Sequence, residues 1–588
     1  MNYTRLTALI AGVAVVSSLT LSGMSCHSKT VSDGADSIGI DEIDSTAVAE
    51  QYMSVSDIDP EGAARWADSV MNGLSVRQRV AQLFVPRLDI FPNAAGFGQL
   101  KNMVVKEQVG GILLGKGSID GYAELINKAQ EEASVPLMIT LDGEWGLAMR
   151  VAGTPKFPSN VALGASRDAS LMVEYGREMA RQCREMGIQV NFAPVLDVNS
   201  NPSNPVIGYR SFGEDASLVG LLGSAYCMGL EDGGVMSVGK HFPGHGDTSV
   251  DSHKALPTIS HDITTLQNVD FLPFVNAISS GMSGIMVGHL KVPALDASGT
   301  PASMSKDITT RWLQDSLGFD GLVFTDALAM KGAAGTGENN CVRAFLAGAD
   351  VLLGSLNPSA DIRALMAAVE SGKIRRDEVD RRCRKMLEYK YRLGLNKKPH
   401  VERDSLASRL SGPEVADLIS RMSDRIITVL RDDSCMLPIG SGKKVAVVSI
   451  GASKGNEFAE RCANYAEVET FTVNKNAPLT LAALAKIKKC DAVAVGVFSN
   501  GAWVSQALKS LGGINNRVIV FFINPFKMVG MKDVLSGMPA IVVAYDDIPA
   551  LRKSAADGVF GKIDVTGRMP VNLPGVAKTG DGIDKISQ

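Results

Sequence analysis

A chain of 588 residues exceeds the length at which one hydrophobic core normally stops growing, so more than one folded unit is expected. Hydrophobic residues make up 45% and charged residues 21%, and the net charge is −4. This balance fits a globular enzyme and leaves no basic field for nucleic acid.

The first 26 residues read as an export signal: Arg5, an apolar run from Leu6 to Val16, then small residues leading to Cys26. The run is too short to span a bilayer comfortably. Its layout resembles a bacterial lipoprotein signal, which implies lipidation of Cys26. The expected location is therefore outside the cytoplasm, anchored by lipid to a cell-envelope membrane on its periplasmic or surface side. An ordinary cleaved signal with a chance cysteine is the alternative. Residues 27–60, rich in Ser, Asp and Thr, cannot offset the entropy of ordering by burial and are expected to be a tether.

From Trp66 to Leu74 the apolar spacing turns helical, and Ser75 is placed to cap a second helix through Val80 and Leu83. Eight short apolar runs follow, beginning at Phe84, Gly111, Pro136, Val190, Val235, Gly284, Leu322 and Val351, most of them separated by helical stretches. This alternation predicts an α/β fold, a (β/α)8 TIM-type barrel, over 61–395. A charged helix from Lys373 to Arg392 and another from Pro413 to Val429 predict a helical linker over 396–430. Four further apolar strands, starting at Lys444, Asp491, Val518 and Ala540, then predict a smaller three-layer α/β/α sandwich over 431–588. The seven cysteines after Cys26 show no C-x-x-C pair or disulfide spacing and read as core thiols.

Reactive groups in a parallel barrel belong at the carboxyl ends of its strands. Asp142 and Glu144, Asp197, Lys240 and His241, His289, and Asp326 each follow an apolar run directly or within a few residues, which points to one polar pocket. Four of the seven histidines (241, 245, 253 and 261) cluster around Lys240–Thr248 and Asp251–His253. His241 and His245 have the spacing of zinc ligands on a helix. Pro243 and Gly244 break such a helix and no Glu stands beside His241, so no metal is expected. Singly, each residue has a plainer reading. Asp326 would cap a helix, Lys240 with Asp142 and Arg210 with Glu214 would be structural ion pairs, and His289 a satisfied core histidine.

The run 240–253 resembles the signature loop of the N-acetylglucosaminidase branch of glycoside hydrolase family 3, in which an Asp-x-His pair replaces a carboxylic acid/base. Further segments are similar to that family: Asp142-Gly143-Glu144-x-Gly146, Arg150, Asn204-Pro205 with Arg210-Ser211-Phe212-Gly213, and Thr325-Asp326-Ala327-Leu328-x-Met330. In the C-terminal region Phe560-Gly561 and Gly567-Arg568-Met569-Pro570-Val571 also match. The resemblance implies a retaining exo-hydrolase of terminal β-N-acetylglucosaminides that needs no cofactor. Asp326 would be its nucleophile, His253 the acid/base and Asp251 the residue orienting His253. Asp142, Arg150, Arg210, Lys240, His241 and Met330 would hold the sugar. The substrate would be an N-acetylglucosamine-containing oligosaccharide or a peptidoglycan fragment, and the oligomeric state is left open. A β-glucosidase of the same family, a phosphorylase and a silent glycan-binding lipoprotein are the competing functions.

Overall fold

The computed structural model describes residues 52–89, 94–251, 255–333, 337–433 and 435–587. The eight apolar runs form eight parallel strands: β1 (Phe84–Val85, continued past Pro86 by Arg87–Leu88), β2 (Gly111–Leu114), β3 (Met138–Leu141), β4 (Val190–Asn191), β5 (Met236–Phe242), β6 (Gly284–Val287), β7 (Leu322–Thr325) and β8 (Leu352–Leu353). Arg87–Leu88 pairs with β2, and pairing then runs in order from β2 to β7. A bridge between Phe324 and Val351 joins β7 to the start of β8, and Phe84 pairs with Leu352, so the ring closes. Strands enclosed on both faces must be apolar throughout, which is why they stand out as continuous runs.

Inside the ring, Val85, Leu113, Met138, Val190, Phe192, Met236, Met286 and Phe324 pack as one cluster, with Phe192 and Phe324 meeting edge to face at 5.5 Å. The barrel is thus filled and leaves only its ends for chemistry. Helix Pro60–Asn72 precedes it, and Ser75 caps helix Val76–Ala81 through a capping box with Gln78.

The expected tether ends earlier than residue 60. Val55 is fully buried in the barrel cluster, and its N–H donates to the buried carboxylate of Glu231 at 3.0 Å. Glu231 also accepts from the hydroxyls and N–H groups of Ser237 and Ser283, which fixes this segment under β5 and β6. One buried aliphatic side chain and one hydrogen-bonded carboxylate thus order residues that composition alone marks as polar linker.

The second sheet has six strands: β9 (Thr428–Asp432), β10 (Lys444–Ile450), β11 (Glu467–Val473), β12 (Ala492–Val497), β13 (Arg517–Phe521) and β14 (Ala540–Val543). Their order is β9-β14-β13-β12-β10-β11, with β9 antiparallel to β14 and every other pair parallel. Two of these strands depart from expectation. Helix Pro413–Ile426 stops before Thr428, so the predicted linker ends inside the sheet, and β11 is an edge strand whose glutamates keep it half exposed. The sheet returns to the barrel at its C-terminal end, where Arg568 N–H donates to the Ala165 carbonyl and Glu214 N–H to the Pro570 carbonyl. Of the seven described cysteines, all free, six are buried and Cys435 is exposed. Among the described residues no helix is long and apolar enough to cross a membrane.

Candidate active site

The carboxyl ends of the strands open into a cavity of about 1280 Å³. Asp142, Arg150, Arg210, Lys240, His241, Asp326 and Met330 all line it. Asp251 is not among the lining residues. It is half-buried on the loop after β5, where its carbonyl accepts from Ala255 N–H at 3.1 Å. His253 and Cys26 lie outside the described residues.

Strand β5 supplies the centre of the site. Its register against β6 shifts between Lys240 and Phe242, so the consecutive residues Lys240 and His241 both face the cavity. Lys240 Nζ lies 2.9 Å from Asp142 and 2.8 Å from Glu144. Asp142 also receives Arg150 at 3.2 Å, and Glu144 is gripped by both ends of the Arg210 guanidinium at 2.7 and 2.9 Å. Burial would push both carboxyls up. The cations more than reverse this, and Asp142 and Glu144 are held below the usual carboxylate range. Arg210 therefore pairs with Glu144, 66 positions away, and not with its sequence neighbour Glu214, which accepts from the Asn572 and Thr579 side chains across the domain seam.

Asp197 organises the neighbouring wall. One carboxylate oxygen accepts from the backbone N–H groups of His241 and His245, and the other stands 2.7 Å from His241 Nδ1, which leaves Nε2 as the free face of that ring. His245 meets His241 with ring centroids 5.8 Å apart, and its Nδ1 lies 3.0 Å from the Thr248 hydroxyl. The two rings are thus neighbours even though no helix joins them. Burial, then the facing His241, pushes His245 down to about 4, so it stands neutral. Among the described residues no group of His, Cys, Asp and Glu could hold a metal ion.

Asp326 follows β7 directly. Its N–H donates to the Val287 carbonyl, and one carboxylate oxygen accepts from Ala327 N–H at 2.7 Å. Burial opposes its ionisation, but the fields of His289 and His241 hold it below the ordinary value, helped by the Ala327 N–H and Lys240. An anionic carboxylate therefore faces the cavity. His289, between the Ser303 hydroxyl at 2.7 Å and the Ala327 carbonyl at 3.1 Å, braces this turn from below. It is a satisfied buried histidine that also tunes the acid beside it.

Three parts of the cavity were not visible as site residues in the sequence. Trp145 and Tyr209 form an edge-to-face pair at 5.4 Å, Phe157 lies nearby, and Asp546, Asp547 and Ile548 reach in from the C-terminal domain. Each sits on a loop whose partner is remote in sequence. The Gly146 turn beside Trp145, with φ at 107°, was the available signal for a tight approach.

The chain is similar to several proteins of known family. Beta-hexosaminidase A of Pseudoalteromonas piscicida is 31% identical over 385 residues, which is 59% of this chain and 63% of that protein. Beta-hexosaminidase LpqI of Mycobacterium tuberculosis is 36% identical over 327 residues, covering 52% of this chain and 81% of its own length. A glycoside hydrolase family 3 β-N-acetylglucosaminidase structure from Paenibacillus sp. str. FPU-7 superposes with a TM-score of 0.72 at 31% identity, over 85% of this chain and 99% of that one. The family model described as the glycosyl hydrolase family 3 N-terminal domain matches residues 75–389, spanning the barrel and every cavity residue on it, and the chain therefore belongs to glycoside hydrolase family 3.

Proposed function

We propose that this glycoside hydrolase removes terminal β-linked N-acetylglucosamine residues with retention of configuration, using Asp326 as nucleophile. The observation that carries the reading is the ionised Asp326 carboxylate, which shares one cavity with Asp142, Arg150, Arg210, Lys240 and His241. Leu113, Met286 and Leu353, all from the barrel cluster, close the cavity floor. A terminal sugar would rest on this floor.

Attack by Asp326 on the anomeric carbon forms a glycosyl-enzyme and expels the leaving oxygen, which needs a proton from the opposite side. His253 takes this role with Asp251 as its orienting carboxylate; the assignment comes from the sequence motif alone. An imidazole has an ordinary value near ~6.5, which suits protonating the leaving group and then deprotonating water. Asp142 retains acceptor capacity for sugar hydroxyls beyond its contacts with Lys240 and Arg150, while His241 Nε2 and the two arginines offer hydrogen-bonding groups for the hydroxyls and the acetamido group. Met330 supplies a soft apolar surface.

The test is direct. The chain should release nitrophenol from the β-N-acetylglucosaminide and not from the β-glucoside, and a fluorinated N-acetylglucosaminide should label the peptide containing Asp326. The reverse preference would place it with the β-glucosidases. A label on another carboxylate would overturn the mechanism, and sugar 1-phosphate formed in phosphate buffer would mark a phosphorylase.

The signal-like segment ending at Cys26 supports export and lipid anchoring as part of the same proposal. Replacing Cys26 by Ala should move the protein from the detergent phase to the aqueous phase.

A further inference from the structure

The turn that carries Asp142 and Glu144 is pinned from behind by two residues that do not line the cavity. Asn191 ends β4 and pairs with Leu141, the last residue of β3, so its side chain stands beside the backbone two positions further along the chain. Its Oδ1 accepts from Gly143 N–H at 2.9 Å, and its Nδ2 donates to the Gly143 carbonyl at 3.1 Å. Nδ2 also donates to the Tyr226 hydroxyl at 3.3 Å, which in turn donates to the Gly143 carbonyl at 3.2 Å. Asn191 is 1% exposed and Tyr226 fully buried, the latter stacked on Tyr175 with ring centroids 4.8 Å apart. A Cβ at 143 would stand 3.1 Å from Asn191 Oδ1, so glycine is what admits the amide at this range.

The N–H of Gly143 belongs to the peptide group leading from Asp142, and its carbonyl to the one leading into Glu144. Both of these peptide groups are therefore held. The two carboxylates close on one ammonium, Lys240 Nζ, from 2.9 and 2.8 Å, with Arg150 and Arg210 on their other sides. An ammonium attracts as a compact point charge and does not by itself fix the separation of the carboxylates around it. The directional bonds from Asn191 and Tyr226 to the backbone between them do.

Resting on the hydrolase reading above, we propose that Asn191, backed by Tyr226, is a positioning residue of the sugar-binding site: by clamping Gly143 it sets where the Asp142 carboxylate meets the hydroxyls of the bound sugar. Misplacing a substrate-holding group by about 1 Å lowers a rate by up to ~10²-fold even when the change lies away from the reacting atoms.

The test is a double-mutant cycle on kcat/KM for the nitrophenyl β-N-acetylglucosaminide, measured in the full-length chain. Asn191→Ala should lower kcat/KM by about tenfold. In an Asp142→Ala background, where no carboxylate is left to place, the same substitution should cost less than about twofold. A general loss of packing would act alike in both backgrounds, so equal losses, or none in either, overturn the clamp. Tyr226→Phe deletes one hydroxyl and should lower kcat/KM about threefold with the same dependence on Asp142. It decides the question by the same criterion if Asn191→Ala does not fold. These outcomes, with wild type active, bear on the positioning role alone, whereas wild type inert toward the nitrophenyl sugar overturns the hydrolase reading and the clamp with it.

Discussion

Asp326 and Lys390 show opposite uses of a buried ionisable group. Asp326 is kept charged against its burial by the histidines and lysine around it, so its removal should act on chemistry. Asp326→Ala is expected to lower kcat on the order of 10⁴-fold, measured with the nitrophenyl substrate. Lys390 is fully buried, its Nζ donating to Gln82 Oε1 at 2.7 Å, and burial lowers it to about 7. The unfolded chain holds this proton up to ~10.4, so between pH 7 and that value the unfolded state binds more protons and native stability rises with pH. Lys390→Met should flatten that rise, read as a smaller gain in Tm from pH 7 to 9.5 than wild type shows.

At the scale of elements, the loop leaving β5 is held at its root by His261. Its Nδ1 is 2.7 Å from Asp270 and its Nε2 3.0 Å from Asp247, so the ring joins the loop to the segment Leu266–Asp270. The bond to Asp270 raises His261 above its ordinary value despite partial burial, with Asp247 and Asp262 adding to the effect. A raised histidine contributes stability that is complete below its unfolded value of ~6.5 and lost as pH rises through the folded one. Burial also raises Asp270, against the opposing pull of His261. His261→Ala should therefore destabilise the protein more at pH 6 than at pH 8.5, a difference that thermal melts at the two values would show. Elements also set the limits of sequence reading. The eight barrel strands were legible because enclosure on both faces demands unbroken apolar runs, and the polar residues following them marked the pocket. Strand β11 was missed because Glu467 and Glu469 interrupt its pattern at a solvent-facing edge, and β9 because it follows helix Pro413–Ile426 almost without a break.

Across the whole molecule, the least legible features join remote segments. Local spacing suggested Glu214 as the partner of Arg210, whereas folding delivers Glu144 and frees Glu214 to clasp Asn572 and Thr579 of the other domain. Trp145 and Tyr209 become a wall only through that pairing, and nothing near Asp546 in sequence announces that a sandwich loop reaches the barrel mouth. Ordered family motifs identified the charged residues that hold the site, since each motif is a short contiguous stretch of sequence. The Trp145–Tyr209 pair and the sandwich loop at Asp546–Ile548 come from segments remote in sequence and waited for the fold.

Val55 corks the barrel from the end opposite the chemistry, and the cork is supplied by residues upstream of the first helix. Trimming the chain to begin at Pro60 would open a hole beneath the strands and strip Glu231 of the Val55 N–H and of the Ser54 hydroxyl. A carboxylate buried with fewer donors costs about 1–3 kcal/mol before the lost apolar packing is counted. Such a shortened protein should melt several degrees lower while keeping its catalytic mouth intact, which makes the stretch before Pro60 a foundation stone of the enzyme.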